Sequence, residues 1–258
     1  RSVQVGDTNR HGLFLPAPSE ISFDVVVPED SILRFDARII PPEAAVPGQA
    51  SDGASVLVSI DSGGGEIVIK RIPVTESLST IRLDLAPFGG TTARLFVRTE
   101  PGQTALLDYV FLAEPTIYVP DENPPRTVII FIDTLRPDHM SLYGYERETS
   151  PAIDEWGEKA AVFSQARSIA PWTLPSARTM LTGQQPERWK NAQRIQDLFA
   201  DAGWATGFFA GNVYLSSNFE MANGWGEHRC VNWPQASVQV NRAIDYLDRN
   251  TDRSAFML

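Results

Sequence analysis

Two periodicities divide the chain. Up to about residue 118, apolar and polar positions alternate every second residue. Leu33, Phe35, Ala37 and Ile39 fall on one side of a predicted strand, with Arg34, Asp36 and Arg38 on the other. Ile81, Leu83 and Leu85 alternate with Arg82 and Asp84 in the same way. Similar runs occupy 21–27, 55–60, 66–70, 93–98 and 105–112. Turns rich in glycine and proline separate them, among them Ser62-Gly63-Gly64-Gly65 and Pro87-Phe88-Gly89-Gly90. Seven or eight short strands with such breaks predict an antiparallel β-sandwich, with no helix beyond a turn or two.

Beyond Val119-Pro120-Asp121-Glu122-Asn123-Pro124-Pro125 the grammar changes. Proline stiffens that stretch and keeps a strand from running through it. Residues 127–132 are a continuous apolar run, the pattern of a parallel strand buried on both faces. Helices are predicted over 150–160 and 190–202, the second with Ile195, Leu198, Phe199 and Ala202 on one stripe and Gly203 as its stop. A strand follows at 205–210, then a helix over 236–249 with Val240, Ile244 and Leu247 on one side. A further strand begins at 255–258. This alternation predicts an α/β class with a mostly parallel sheet. The expected organisation is a separate sandwich module over 1–118, a linker over 119–125 and an α/β domain over 126–258. Because the last predicted strand stops at Leu258, the expectation is that the α/β part continues in a longer protein.

Composition narrows the function. The chain has 258 residues, 43% apolar and 21% charged, an ordinary globular balance. A net charge of −10 and a pI near 4.8 argue against a nucleic-acid partner. No run approaches the ~20 apolar residues of a membrane span. The lone Cys230 excludes an internal disulfide framework and a cysteine-based metal site. All six tryptophans lie in the second half, so 1–118 has no indole platform for a sugar, although Tyr109 and Phe88 could serve as stacking rings.

Two residues carry most of the candidate chemistry. Asp133 ends the first predicted strand of the α/β part, and ligand sites in such sheets gather at the carboxyl ends of strands. A carboxylate there suits Mg²⁺, Ca²⁺ or Mn²⁺, or Zn²⁺ if a histidine joins it; it could equally cap the following turn. Thr173 opens a predicted helix that has Pro175 in its first turn and Gly183 at its end. A helix N-terminus presents free N–H groups to an anion, so a hydroxyl there can face a phosphoryl or sulfuryl group. A plain N-cap threonine is the alternative. His139, beside Asp138, reads as loop packing; Arg136 reads as the ion-pair partner of Asp138, with contact to an anionic substrate as the alternative. His228 and Cys230 lack the second pair that a metal site would need.

These landmarks resemble the sulfatase family of the alkaline-phosphatase superfamily. The likeness runs from Asp133-Thr134-Leu135-Arg136-Pro137-Asp138-His139 through Tyr143-Gly144-Tyr145, Thr149-Ser150-Pro151 and Pro171-Trp172-Thr173 to Leu181-Thr182-Gly183 and Ala202-Gly203-Trp204. The family motif is Cys/Ser-x-Pro-Ser-Arg-x-x-x-Leu-Thr-Gly, and Thr173 stands at the nucleophile. The resemblance implies an alkaline-phosphatase-like α/β fold, a divalent metal held in part by Asp133 and Thr173, and cleavage of a sulfate or phosphate ester of a small molecule, glycan or lipid. It also implies a periplasmic or extracellular location. Three departures matter. Threonine cannot become formylglycine, which favours phosphoryl over sulfuryl transfer. Ala177 stands where the family has a supporting arginine, with Arg178 one residue, about 100°, further round the helix. Asn212 and Tyr214 replace a cationic lysine and histidine that hold the anion, leaving hydrogen-bond donors without charge. The expected function is a sulfatase-like hydrolase, with a phospho-group transferase and a non-catalytic binding scaffold as alternatives. The expected substrate-binding residues are Asn212, Tyr214 and Arg178, and residues 1–258 alone are expected to show little activity.

Overall fold

A computed structural model describes residues 2–5, 7–41 and 49–258. The described residues form thirteen strands and four α-helices. The strands of its first half are β1 (Ser2–Val5), β2 (Thr8–Pro16), β3 (Ser19–Val26), β4 (Ile32–Ile39), β5 (Ala54–Asp61), β6 (Ile67–Val74), β7 (Ser79–Asp84), β8 (Thr92–Pro101) and β9 (Tyr109–Tyr118). After them come β10 (Arg126–Val128), α1 (Pro151–Gly157), α2 (Thr173–Thr182), α3 (Ile195–Asp201), β11 (Ala205–Ala210), β12 (Glu227–Cys230), α4 (Ala236–Asp248) and β13 (Ala255–Met257). Residues 1–128 with 193–258 make one compact unit, and residues 129–192 another.

The alternation in the first half works as a sandwich. An antiparallel sheet in the order β3-β8-β5-β6 faces the strands β2-β9-β4-β7. Leu33, Phe35, Ala37 and Ile39 of β4 meet Val56, Val58 and Ile60 of β5, Leu95 and Val97 of β8, and Val110 and Leu112 of β9 in one buried cluster. Each of these side chains larger than alanine contributes about 1.5–3 kcal/mol by leaving water. The glycine run at 62–65 is the β5–β6 turn. There Asp61 Oδ1 accepts from Gly63 N at 2.8 Å and Gly65 N at 3.1 Å. The helical content of this half among the described residues is a single 3₁₀ turn at Ala86–Phe88.

The α/β strands run parallel in the order β10-β13-β11-β12. Helices cover both faces. Phe199 of α3 stacks on Phe256 of β13 at 4.3 Å between ring centres. On the other face Tyr246 of α4 packs with Phe209, Ala255 and Met257. Two expectations fail in detail. The apolar run 127–132 yields strand only over Arg126–Val128, which pairs with β13 alone; Ile130 is 74% exposed, so the run is not covered on both faces among the described residues. In α4 the inward side carries Gln239, Ala243, Tyr246 and Leu247, and Val240 and Ile244 face outward. Tyr246 supplies the apolar bulk that the sequence pattern assigned to Val240 and Ile244.

The expectation of a separate sandwich is also corrected, because one mixed sheet joins the two parts. Arg10 and Asn9 of β2 pair antiparallel with Glu227 and His228 of β12, and His11 N donates to Gly226 O at 3.1 Å. The far half of β2 pairs with β9. A buried charge cluster accompanies this joint. Arg10 donates to Asp36 Oδ2 at 2.6 Å, Glu114 Oε2 at 3.0 Å and Glu227 Oε2 at 3.0 Å. Thr80 donates to Asp36 Oδ1 at 2.7 Å, and Arg249, just past the end of α4, reaches Glu227 at 3.1 Å. Burial alone would lower the Arg10 pKa; the carboxylates of Glu114, Glu227 and Asp36 outweigh it and raise it. Burial pushes Asp36 up, but Arg10, Arg34 and Thr80 bring it below the usual carboxylate value. Glu114 reaches the cluster on a left-handed backbone (φ 48°), and its carboxylate fills the space where a side chain on residue 226 would begin; glycine leaves that space open.

Candidate active site

In the unit spanning 129–192, the chain turns sharply at Asp133-Thr134. Thr134 has a left-handed backbone (φ 57°), a conformation a β-branched residue adopts only when its surroundings impose it. Across from this turn begins α2. Trp172 is extended, Thr173 is the first helical residue rather than the cap, and Gly183 closes the helix with φ 63°. The Thr173 hydroxyl donates to Asp133, at 3.2 Å from Oδ1 and 3.3 Å from Oδ2. The structure therefore brings together the two residues that sequence chemistry singled out, although they are 40 positions apart.

The approach to Thr173 is pinned from inside the helix. Ser176 Oγ donates to the carbonyls of Ala170 and Trp172, both at 3.0 Å. It also lies 2.8 Å from Ser168 Oγ, which in turn donates to Ala170 O at 2.8 Å. These bonds hold the extended segment that delivers Thr173 to the helix start. Ser176 belongs to the quoted motif, but its positioning role was not legible; a serine three residues into a helix is the cue that could have suggested it. Ala177, at the position of the family's arginine, is fully buried. Arg178 lies with its guanidinium 5.7 Å from the centre of the Trp189 ring.

The neighbouring loop behaves as structure. Arg136 forms a two-pronged ion pair with Asp138, and its hydrogen bonds hold that carboxyl below the usual value. The His139 ring packs against Tyr145 at 5.0 Å, and its carbonyl accepts from Thr149 at 2.6 Å. A cavity of about 420 Å³ opens beside this loop, lined in part by Ile132, Leu135, His139, Met140, Ser150 and Ile153.

Asn212 and Tyr214 belong to the other unit, just past the carboxyl end of β11. Asn212 Oδ1 accepts from Tyr214 N at 2.9 Å and so caps a 3₁₀ turn, and the Tyr214 ring meets Phe219 at 5.4 Å. His228 is fully buried, with Nε2 2.8 Å from Leu215 O; burial lowers its pKa more than that carbonyl raises it. Cys230 Sγ lies 3.2 Å from Asn212 O.

Asp133 and Thr173 present three oxygens at one point, hard donors that fit a divalent cation. Among the described residues no group of three or more His, Cys, Asp or Glu side chains stands ready to hold a metal. No helix among those residues is long and apolar enough to cross a membrane.

The putative transferase YhbX of Escherichia coli K12 is 42% identical over 64 residues, 25% of this chain and 12% of that protein. Phosphoethanolamine transferase EptC of the same strain is 30% identical over 91 residues, 33% of this chain and 16% of the relative. The chain thus matches a small part of the length of either. Among solved structures, a family 61 carbohydrate-binding module bound to β-1,4-galactotriose is 18% identical, with a TM-score of 0.24 over 38% of this chain and 59% of that one. A likeness that loose carries no argument about activity or ligand. Residues 125–254 match the profile of the sulfatase family. That stretch is half of the chain and contains Asp133, Thr173 and the run to Gly183, so the chain belongs to the sulfatase family.

Proposed function

We propose that the protein of which this chain is part cleaves phosphate esters through Thr173 and passes the phospho group to an acceptor alcohol or to water. The observation that carries the proposal is the Thr173 hydroxyl at the start of α2, 3.2 Å from the Asp133 carboxylate. Thr173 Oγ forms a bond to phosphorus while the bond to the leaving alcohol breaks. The acceptor oxygen then displaces Thr173 by a second in-line attack. The positive end of the α2 dipole would favour negative charge as it develops on the phosphoryl oxygens. Asp133 and Thr173 would hold a divalent cation, which would keep the hydroxyl ionised at neutral pH and screen the phosphate.

Threonine supports phosphoryl chemistry and cannot form the aldehyde hydrate on which sulfate elimination depends. Two of the relatives carry transferase names, which favours an alcohol as acceptor over water. Asn212, Tyr214 and Arg178 remain the proposed contacts to the substrate. On the family resemblance alone we also propose a periplasmic or extracellular location.

The test is an assay of the full-length protein on an aryl phosphate ester and an aryl sulfate, with added Mg²⁺, Mn²⁺, Ca²⁺ or Zn²⁺ and with a competing alcohol. The expected result is phosphate-ester cleavage that falls by on the order of a thousandfold or more in Thr173→Ala and partly survives in Thr173→Ser. A phosphorylated alcohol product marks transfer. Efficient sulfate release that persists in Thr173→Ala overturns the assignment.

A further inference from the structure

His228 and Cys230, two positions apart and without partners for a metal, have a different use in the fold. β12 is four residues long, and its side chains alternate between two neighbours. On one face Glu227 accepts from Arg10 at 3.0 Å and from Arg249 at 3.1 Å, and Arg229 pairs with Asp7 in the turn between β1 and β2. On the other face His228 Nε2 lies 2.8 Å from Leu215 O, and Cys230 Sγ lies 3.2 Å from Asn212 O. A carbonyl only accepts, so both side chains donate. Burial lowers the His228 pKa and keeps the ring neutral; it raises that of the Cys230 thiol, which keeps its proton for the bond. Past β12 the same pattern continues. Val231 N donates to Ala210 O and Trp233 N to Gly211 O, both at 3.1 Å, and Gln239 Nε2 of α4 donates to Ala210 O at 2.6 Å. The carbonyls of Ala210, Gly211, Asn212 and Leu215 are thus all engaged by β12, the segment after it and α4. The turn that carries Asn212 and Tyr214 is shaped by a strand whose edge pairs with β2 at Asn9 and Arg10.

We propose that His228 and Cys230 are positioning residues for the substrate: they hold the 212–215 turn in the conformation in which Asn212 and Tyr214 meet the phosphate, and β12 fixes that turn to β2. The inference rests on the phosphate-ester reading, in which Asn212 and Tyr214 contact the substrate, and adds the residues that keep them in place. Asn212 and Tyr214 bring hydrogen-bond donors without charge, and such donors bind an anion well only when they are ordered before it arrives. His228 and Cys230 reach backbone carbonyls, so their loss acts through the turn.

The test uses the full-length protein and has two readouts. In the first, kcat and KM for phenyl phosphate are compared in the wild type, His228→Phe, His228→Gln, Asn212→Ala and the double variant His228→Phe/Asn212→Ala. His228→Phe keeps a ring against Phe208 and removes the donor. It should raise KM about tenfold with kcat within about twofold. His228→Gln should recover most of the loss, and the double variant should be no worse than Asn212→Ala. A purely structural histidine would lower kcat with the folded fraction and leave KM unchanged. That result, or losses that add in the double variant, overturns the proposal. The second readout needs no turnover: the rate at which iodoacetamide alkylates Cys230, followed on the peptide that contains it. Phenylphosphonate should slow the reaction in the wild type. His228→Phe should speed it about tenfold and abolish that protection. If phenyl phosphate is not cleaved yet phenylphosphonate protects, the phosphate-ester reading fails and the positioning role stands. Equal alkylation rates in wild type and His228→Phe, or no protection, overturn the proposal. Should His228→Phe not fold, Cys230→Ala replaces it in the first readout and His228→Asn in the second, with the same outcomes.

Discussion

The sandwich and the segment 129–192 are built on opposite economies of packing. In the sandwich, strand after strand sends every second side chain into a shared interior, and Val56, Val58, Ile60 and Val110 have no exposed surface at all. In 129–192 the described apolar side chains that reach burial are few: Met140, Ala177 and Leu181, with Pro175. Trp156 is 74% exposed there and Phe163 72%. Yet the Asp133–Thr173 pair lies in the thinly packed segment. Its geometry is held by local devices: the Thr134 turn, the Ser168–Ser176 hydrogen bonds and the Gly183 helix end. One region is specified by a distributed core, and the other by a few directional bonds next to the chemistry.

The comparison can be broken most forcefully at Arg10. Arg10→Met would leave Asp36, Glu114 and Glu227 buried without their shared cation, and should cost about 3–5 kcal/mol in urea unfolding. A change within ~1 kcal/mol would mean that the joint between sandwich and parallel sheet is not fastened by charge. A smaller difference should appear in native-state hydrogen exchange. Amides of β4, β5, β8 and β9 should be protected about a hundredfold more than those of α1 and α2, roughly 2.7 kcal/mol in opening free energy. Comparable protection in both would show that the directional bonds around Thr173 stabilise as strongly as a core. The mildest expected effect is with pH. Asp36 has a folded pKa below its unfolded value of about 3.9, so its contribution is present above that pH and is lost as the pH falls through the lower folded value. Unfolding midpoints should therefore drop more steeply below about pH 4 in the wild type than in Asp36→Asn. Parallel pH profiles would remove Asp36 from the account.

The sequence made the sandwich legible wherever burial followed period two. It hid the joint for a definite reason. β2 carries Arg10, His11 and Gly12, and β12 reads Glu227-His228-Arg229-Cys230, so neither shows an apolar alternation. Charges that neutralise each other inside a sheet look, in one dimension, like solvent-facing loop. β10 erred the other way: an apolar run suggested a strand buried on both faces, and in the structure it is short and at an edge. The Asp133–Thr173 pairing was legible because the motif ties the two residues to one chemistry. Asp133 nonetheless sits in a turn beyond β10 and not at the end of a strand, as its place after the apolar run suggested. The lodging of Arg178 against Trp189 depends on a side-chain direction that linear spacing does not give.

Gly226 has a consequence for how the two parts of the chain can change in sequence. Because the Glu114 carboxylate occupies the place of a residue-226 side chain, positions 114 and 226 behave as one character. In a library randomised at both, survivors with any side chain at 226 should carry a shortened residue at 114. Arg10 would then have one acceptor fewer, a vacancy that a third substitution would have to fill. A β-turn of the sandwich can drift freely. This corner can be rewritten only in concert, and each half of the chain then constrains the mutational path of the other.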